Sequence, residues 1–109
     1  MATNTFKSYA SKNVGTSAAA VYTCPSATQT TLIGLSMANT STSPITTDAY
    51  VTRSAVNYYL VKGATVPVGG SLVIVGGDQK LVMQASDVLY VVNSAASSGD
   101  AIASLLEIA

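Results

Sequence analysis

The strongest constraint on the fold is the punctuation of the chain. Short runs rich in Val, Ile, Leu, Tyr and Thr alternate with clusters of Ser, Thr, Gly, Pro and Asp from one end to the other. Cys24-Pro25-Ser26, residues 39–44, Ser54-Ala55, residues 67–70, Gly76-Gly77-Asp78, Ala85-Ser86-Asp87 and Ser98-Gly99-Asp100 all carry turn chemistry. Glycine accepts positive φ, proline fixes φ, and short polar side chains bond their own backbone. Interruptions this frequent leave no room for a long amphipathic helix, and apolar residues do not recur at three-and-four spacing.

The runs between these breaks are β-branched and aromatic, which suits a pleated, half-buried surface. They predict strands at Ala18–Thr23, Gln29–Ala38, Ile45–Thr52, Val56–Lys62, Ser71–Val75, Lys80–Met83, Val88–Asn93 and Ala101–Ile108. A weaker N-terminal strand falls near Thr5–Ala10. Segment 101–108 also suits a helix capped by Asp100, but its period-two pattern favours a closing strand. The expected fold is all-β, an antiparallel β-sandwich of about eight strands, jelly-roll or Ig-like. Residues 1–15 read as an N-terminal arm, an edge strand or a frayed end, and residues 16–109 as the sandwich domain.

Alternation assigns faces. Ile33, Leu35 and Met37 share one face of their strand; Leu32, Gly34, Ser36 and Ala38 share the other. That second face is small, suiting close approach of another backbone or subunit, so Gly34→Val is expected to disturb packing more than Asp100→Ala. Ile45, Ala49 and Val51 point one way and Thr46, Asp48, Tyr50 and Thr52 towards water. Tyr58 and Tyr59 fall on opposite faces, one expected in the core. Val88–Val92 is apolar on both faces, as in a central or interface strand.

Composition narrows the function. Charged residues are 9% of the chain, hydrophobic ones 49%, histidine is absent and the formal net charge is zero. Lys7, Lys12, Arg53, Lys62 and Lys80 are scattered, so no phosphate-neutralising stripe forms and nucleic-acid binding is not expected. The apolar runs fall far short of the roughly 20 residues of a membrane-spanning helix, and the N-terminus lacks a secretory apolar core. No membrane association and folding in a cytoplasm are therefore expected. A neutral apolar chain has little repulsion between copies, which favours a homo-oligomer.

Chemistry finds few tools. One cysteine and no histidine make a zinc site unexpected. Asp78, Asp87 and Asp100 each stand alone, as turn residues rather than calcium ligands. No serine has a histidine base, and Cys24, before Pro25, reads as a small apolar filler. Asp48 and Glu107 are the carboxylates that remain for glycosidase-type chemistry, which needs two flanking a cleft. Gly69-Gly70 and Gly76-Gly77 lack the Gly-x4-Gly-Lys-Ser/Thr pattern of a phosphate loop. The sequon Asn39-Thr40-Ser41 reads as coincidence. The expectation is a protein with no enzymatic activity, no catalytic or metal-binding residues and no cofactor.

From Val21 onward the chain carries a recognisable series. Val21-Tyr22-Thr23-Cys24-Pro25 precedes Thr31-Leu32-Ile33-Gly34-Leu35-Ser36-Met37-Ala38-Asn39. Val56-Asn57-Tyr58-Tyr59-Leu60-Val61, Val66-Pro67-Val68-Gly69-Gly70-Ser71-Leu72, Gly77-Asp78-Gln79-Lys80-Leu81-Val82-Met83 and Ala85-Ser86-Asp87-Val88-Leu89 follow. This resembles the small virion structural proteins of tailed bacteriophages, marine and cyanobacterial ones in particular. Their usual Gly-Asp turn stands here as Ser86-Asp87. The resemblance implies a β-sandwich repeated on a phage particle, made in the host cytoplasm and located in the virion. Its implied partners are the major capsid protein, as for a decoration or cement protein, or neck and tail proteins. A different class, a glycan-binding fibre-tip domain for host attachment, is suggested by Tyr50, Tyr58, Tyr59 and the Thr-rich faces.

Overall fold

The computed structural model describes residues 3–76 and 79–109. Nine strands are found among them: β1 (Asn4–Val14), β2 (Ala19–Thr23), β3 (Gln29–Asn39), β4 (Ile45–Arg53), β5 (Val56–Val66), β6 (Ser71–Val75), β7 (Leu81–Met83), β8 (Val88–Asn93) and β9 (Gly99–Ile108). They form two antiparallel sheets. Sheet A runs β1-β9-β3-β6, with the short β7 also paired to β3, and sheet B runs β2-β8-β4-β5. An antiparallel β-sandwich is thus the fold, and segment 101–108 is strand rather than helix.

Set β7 aside and the order has a simple logic. First pairs with last (β1·β9), second with next-to-last (β2·β8), then β3·β6 and β4·β5. Rolling that long antiparallel ribbon on itself adds β9·β3 and β8·β4 and produces the two sheets. This is the jelly-roll arrangement. The proposed turn at Gly76-Gly77-Asp78 includes two residues outside the described ones.

The core lies between the sheets. Leu32, Leu35, Met37, Met83, Ala101, Ala103 and Leu105 of sheet A meet Ala49, Val51, Leu89 and Val91 of sheet B. Burial of these side chains drives the fold, each Leu, Val or Met contributing roughly 1.5–3 kcal/mol. Val88–Val92 does belong to a central strand, β8, with Leu89 and Val91 inward.

Bulges correct several face assignments. In β3 the register to β9 shifts between Leu32 and Gly34, so Ile33 is the extra residue. Leu32 therefore points into the core, fully buried, while Ile33 turns outward, the reverse of simple alternation. In β5, Leu60 is an extra residue between the Val61 and Tyr59 pairings, and Asp48 of β4 faces both Lys62 and Gly63. Gly63, at φ 69°, carries that bulge, and Asp48 Oδ1 accepts its N–H at 2.6 Å. The ladder thereby continues to Val66 instead of ending at Lys62. Neither Tyr58 nor Tyr59 enters the core, with 57% and 45% exposure, because β5 is an edge strand of sheet B.

The turns bear out some readings and revise others. Pro67-Val68-Gly69-Gly70 closes with Gly70 N–H donating to Pro67 O, Gly69 taking φ 71°. Ser54-Ala55 forms a two-residue hairpin with both residues at positive φ. Ser86 has φ 73°, which is why a glycine is natural before this aspartate. Gly99-Asp100, read as loop, instead opens β9 and pairs with Ala38 and Asn39 of β3. Asn39 is buried and its amide donates to Ser43 O and Val66 O, so it holds a corner of the roll and is not presented for glycosylation.

Candidate interaction surfaces

A chain so poor in charge uses its few ionisable groups structurally. Glu107, on the inward side of β9, is 7% exposed and accepts the Tyr22 hydroxyl at 2.6 Å from the opposite sheet. Lys7 on β1 pairs with its other oxygen at 3.0 Å. The Tyr22 oxygen also lies 2.7 Å from Thr30 Oγ1, which is 3.3 Å from Cys24 Sγ. The Tyr22 hydrogen bond, then that of Lys7, holds the Glu107 carboxyl below its ordinary range. Burial, then the Glu107 bond, pushes the Tyr22 phenol well above its own. This polar string ties one sheet to the other through the core.

Cys24 is fully buried, its Sγ 3.4 Å from the Thr28 carbonyl, consistent with a packed filler. Asp87 accepts Arg53 Nε at 3.0 Å and the Gln84 N–H at 2.9 Å, closing the β7–β8 turn. Arg53, and to a lesser extent that N–H, lowers its pKa. Asp100 accepts Lys12 and the Asn13 N–H at 3.0 Å each.

Asp48 and Glu107 do not come together. Asp48 points out of sheet B, whereas Glu107 points into the core from sheet A, so they cannot flank one cleft. Among the described residues no group of three or more His, Cys, Asp or Glu is placed to hold a metal ion. No helix there is long and apolar enough to cross a membrane.

What the roll does present is two broad faces. On sheet B, Tyr90, Tyr50 and Tyr59 stand side by side across β8, β4 and β5. Tyr50 lies 5.4 Å from Tyr90, stacked at 25°, and 5.0 Å from Tyr59, tilted at 45°. Lys62 Nζ sits 4.5 Å above the Tyr59 ring, a cation–π contact. Sequence reasoning named Tyr50 and Tyr59 and missed Tyr90, whose place depends on the register of β8 against β4. Tyr58 does not join the row. It turns to the other side of β5, where with Val51, Arg53, Leu60, Leu81 and Val82 it lines a hollow of ≈ 250 Å³.

Sheet A is different. Residues directly opposite one another share a face, so register lays out rows. One row reads Phe6, Leu106, Thr31, Val82; another reads Ala10, Ile102, Ser36, Val73. Between them runs Ser8, Ser104, Gly34. Phe6 is 75% exposed, Val73 66%, Val82 54% and Ile102 52%. No charged side chain belongs to these rows. The Lys12–Asp100 pair lies beyond them, at one end. Simple alternation along β9 places Ile102, Ser104, Leu106 and Ile108 on one face. The structure turns that face outward and packs Ala101, Ala103 and Leu105 in the core.

No family model matches the chain. No curated protein matches it either. Among solved structures it is similar to a chain from a study titled "Bacillus endospore appendages form a novel family of disulfide-linked pili", with a TM-score of 0.52 and 14% sequence identity over 98% of this chain and 85% of that one. At that identity the likeness is one of fold.

Proposed function

We propose that this chain is a non-enzymatic structural subunit of a tailed-bacteriophage particle, a decoration protein seated on the major capsid protein. The observation that carries the reading is the pair of unlike, charge-poor faces, one apolar and one lined by tyrosines. Tyrosine is enriched where proteins meet, since it combines apolar area with a hydrogen-bonding tip. The sheet B row is therefore the surface assigned to the shell. Fold likeness to an appendage subunit is compatible with a repeated part, and jelly rolls recur in capsid domains. The covalent linkage named for those pili has no counterpart in this reading, because the single Cys24 is fully buried.

Mass spectrometry of purified particles tests the proposal: the chain should be a stoichiometric component, and its absence refutes the reading. Retention on shells should fall for Tyr59→Ala.

A second reading has its own observation. Aromatic rings beside Thr46, Thr52 and Asn57 on the same strands suit the apolar face and hydroxyls of a sugar. Binding on a glycan array, lost in Tyr59→Ala, would favour a host-attachment role. A blank array removes it.

A further inference from the structure

We infer that the outer face of sheet A is where a second copy of this chain docks, face to face. The inference rests on the reading above only in taking the chain as a repeated subunit. Its basis is the relief and chemistry of the face.

Exposed apolar patches of this extent on a small protein mark an interaction site. The occupant must match three features. The rows themselves carry no charge, and of the cations beside them Lys7 is paired with Glu107 and Lys12 with Asp100, so the face offers a charged partner little, and two neutral copies approach without repulsion. Side-chain size alternates by row: larger groups from Phe6 to Val82, small ones along Ser8, Ser104 and Gly34, and larger ones again at Ile102 and Val73 in the row that also holds Ala10 and Ser36. A depression of ≈ 330 Å³ is lined by Phe6, Lys7, Ser8, Ile33, Ser104 and Leu105, and another of ≈ 270 Å³ lies between Gly34, Ser36, Val73 and Ile102. A surface of larger, small and larger rows is its own complement once a two-fold related copy is staggered by one row, larger groups over small.

The size also fits. Strand spacings of about 4.8 Å and 3.4 Å per residue give the face a flat footprint of about 500 Å² between the Ile108 and Asp100 rows. A stagger of one row leaves about 400 Å² of that overlapping on each copy, so two copies bury about 800 Å² together, the range of weak, reversible contacts. Association through the β5, β1 and β2 edges is less favoured, because these edges are guarded. β5 is twisted by two bulges and carries Lys62; β1 bears Lys7 and Lys12 and shifts register before Val14; β2 is short, bulged and followed by Pro25.

Gly34 acquires a specific role. A Cβ built there has Val75 O at 3.6 Å as its nearest neighbour, an ordinary contact. Bulk at Gly34 therefore fills the small-residue row without striking the core.

The test is sedimentation velocity with light scattering on the purified full chain over about 1–100 µM. Reversible self-association is expected, weakened about tenfold or more by Ile102→Glu and by Phe6→Ser, each at an exposed position and with the melting transition retained. Gly34→Val should weaken it as well, and Tyr59→Ser on the opposite sheet should leave it unchanged. A wild-type chain monomeric throughout this range overturns the inference, as does self-association untouched by Ile102→Glu. If the monomeric chain binds purified shells and Ile102→Glu abolishes that, the face belongs to a foreign partner; the inference fails while the particle role stands. Self-association lost in Ile102→Glu, by a chain absent from particles, supports the inference and sinks the particle role.

Discussion

Replacing Tyr22 by Phe removes one oxygen from the middle of the string that joins the two sheets. The Glu107 carboxylate, 7% exposed, then loses a charge-assisted hydrogen bond of 2.6 Å that water cannot readily replace. Such bonds contribute about 1.5–3 kcal/mol, and Thr30 still has Cys24 as a neighbour, so a loss of about 2 kcal/mol is expected near neutral pH. For a domain of this length that lowers the melting temperature by about 8 °C. The effect should depend on pH in a definite direction. Glu107 has a lowered pKa in the folded protein, so its contribution is present above the ordinary value of 4.5 and disappears as pH falls through the folded one. A protonated carboxyl makes only a neutral hydrogen bond, so the difference between wild type and variant should shrink to about 1 kcal/mol in strong acid. Urea denaturation followed by circular dichroism at about pH 7 and at decreasing pH reads both quantities. A difference under about 0.5 kcal/mol at neutral pH, or one that does not narrow in acid, would refute the reasoning.

Other outcomes follow from the same structure. Ser54 and Ala55 hold φ of 53° and 64° in the β4–β5 hairpin, so Ser54→Asn with Ala55→Gly should raise stability by about 1–2 kcal/mol in thermal melts. At Gly99 an added Cβ would meet Met37 Sδ and Asn93 Nδ2 at 2.7 Å and Ala38 O at 2.8 Å, so Gly99→Ala should cost about 1–3 kcal/mol, read as a lower urea midpoint. In alkali the sign reverses: the raised Tyr22 phenol contributes stability present below its ordinary value of 10.0 and lost as pH climbs above it. Melting temperature should therefore fall above about pH 10, less steeply in Tyr22→Phe.

The class of fold was legible because turn chemistry and β-branched runs are local properties. Strand positions for β2, β4, β6 and β8 followed from them within a residue or two. What escaped was set by register. Alternation read through Ile33 or Leu60 fails because a bulge adds a residue without changing the composition of the run. The inward choice on β9 was hidden for a related reason. Ala101, Ala103 and Leu105 look less apolar than Ile102, Leu106 and Ile108, yet the tight spacing between sheets takes the smaller set. The Tyr90–Tyr50–Tyr59 row was half visible, since two members sit in neighbouring runs and the third arrives only through β8. Glu107 could be named as an acid, but its partner Tyr22 is 85 positions away.

The pairing of first strand with last carries a consequence for synthesis. β9 is an interior strand of sheet A, flanked by β1 and β3, and it emerges after the other eight described strands. Until then the two strands it separates have no ladder between them, and their apolar rows wait unpaired while the chain lengthens. Contacts between distant segments close slowly, and the waiting intermediate is the species exposed to aggregation. A chain cut just before Gly99 loses the middle of a sheet, not a margin. Translation that stalls late in the message should therefore leave insoluble product, whereas trimming within β1, an edge, should leave a sheet that still closes.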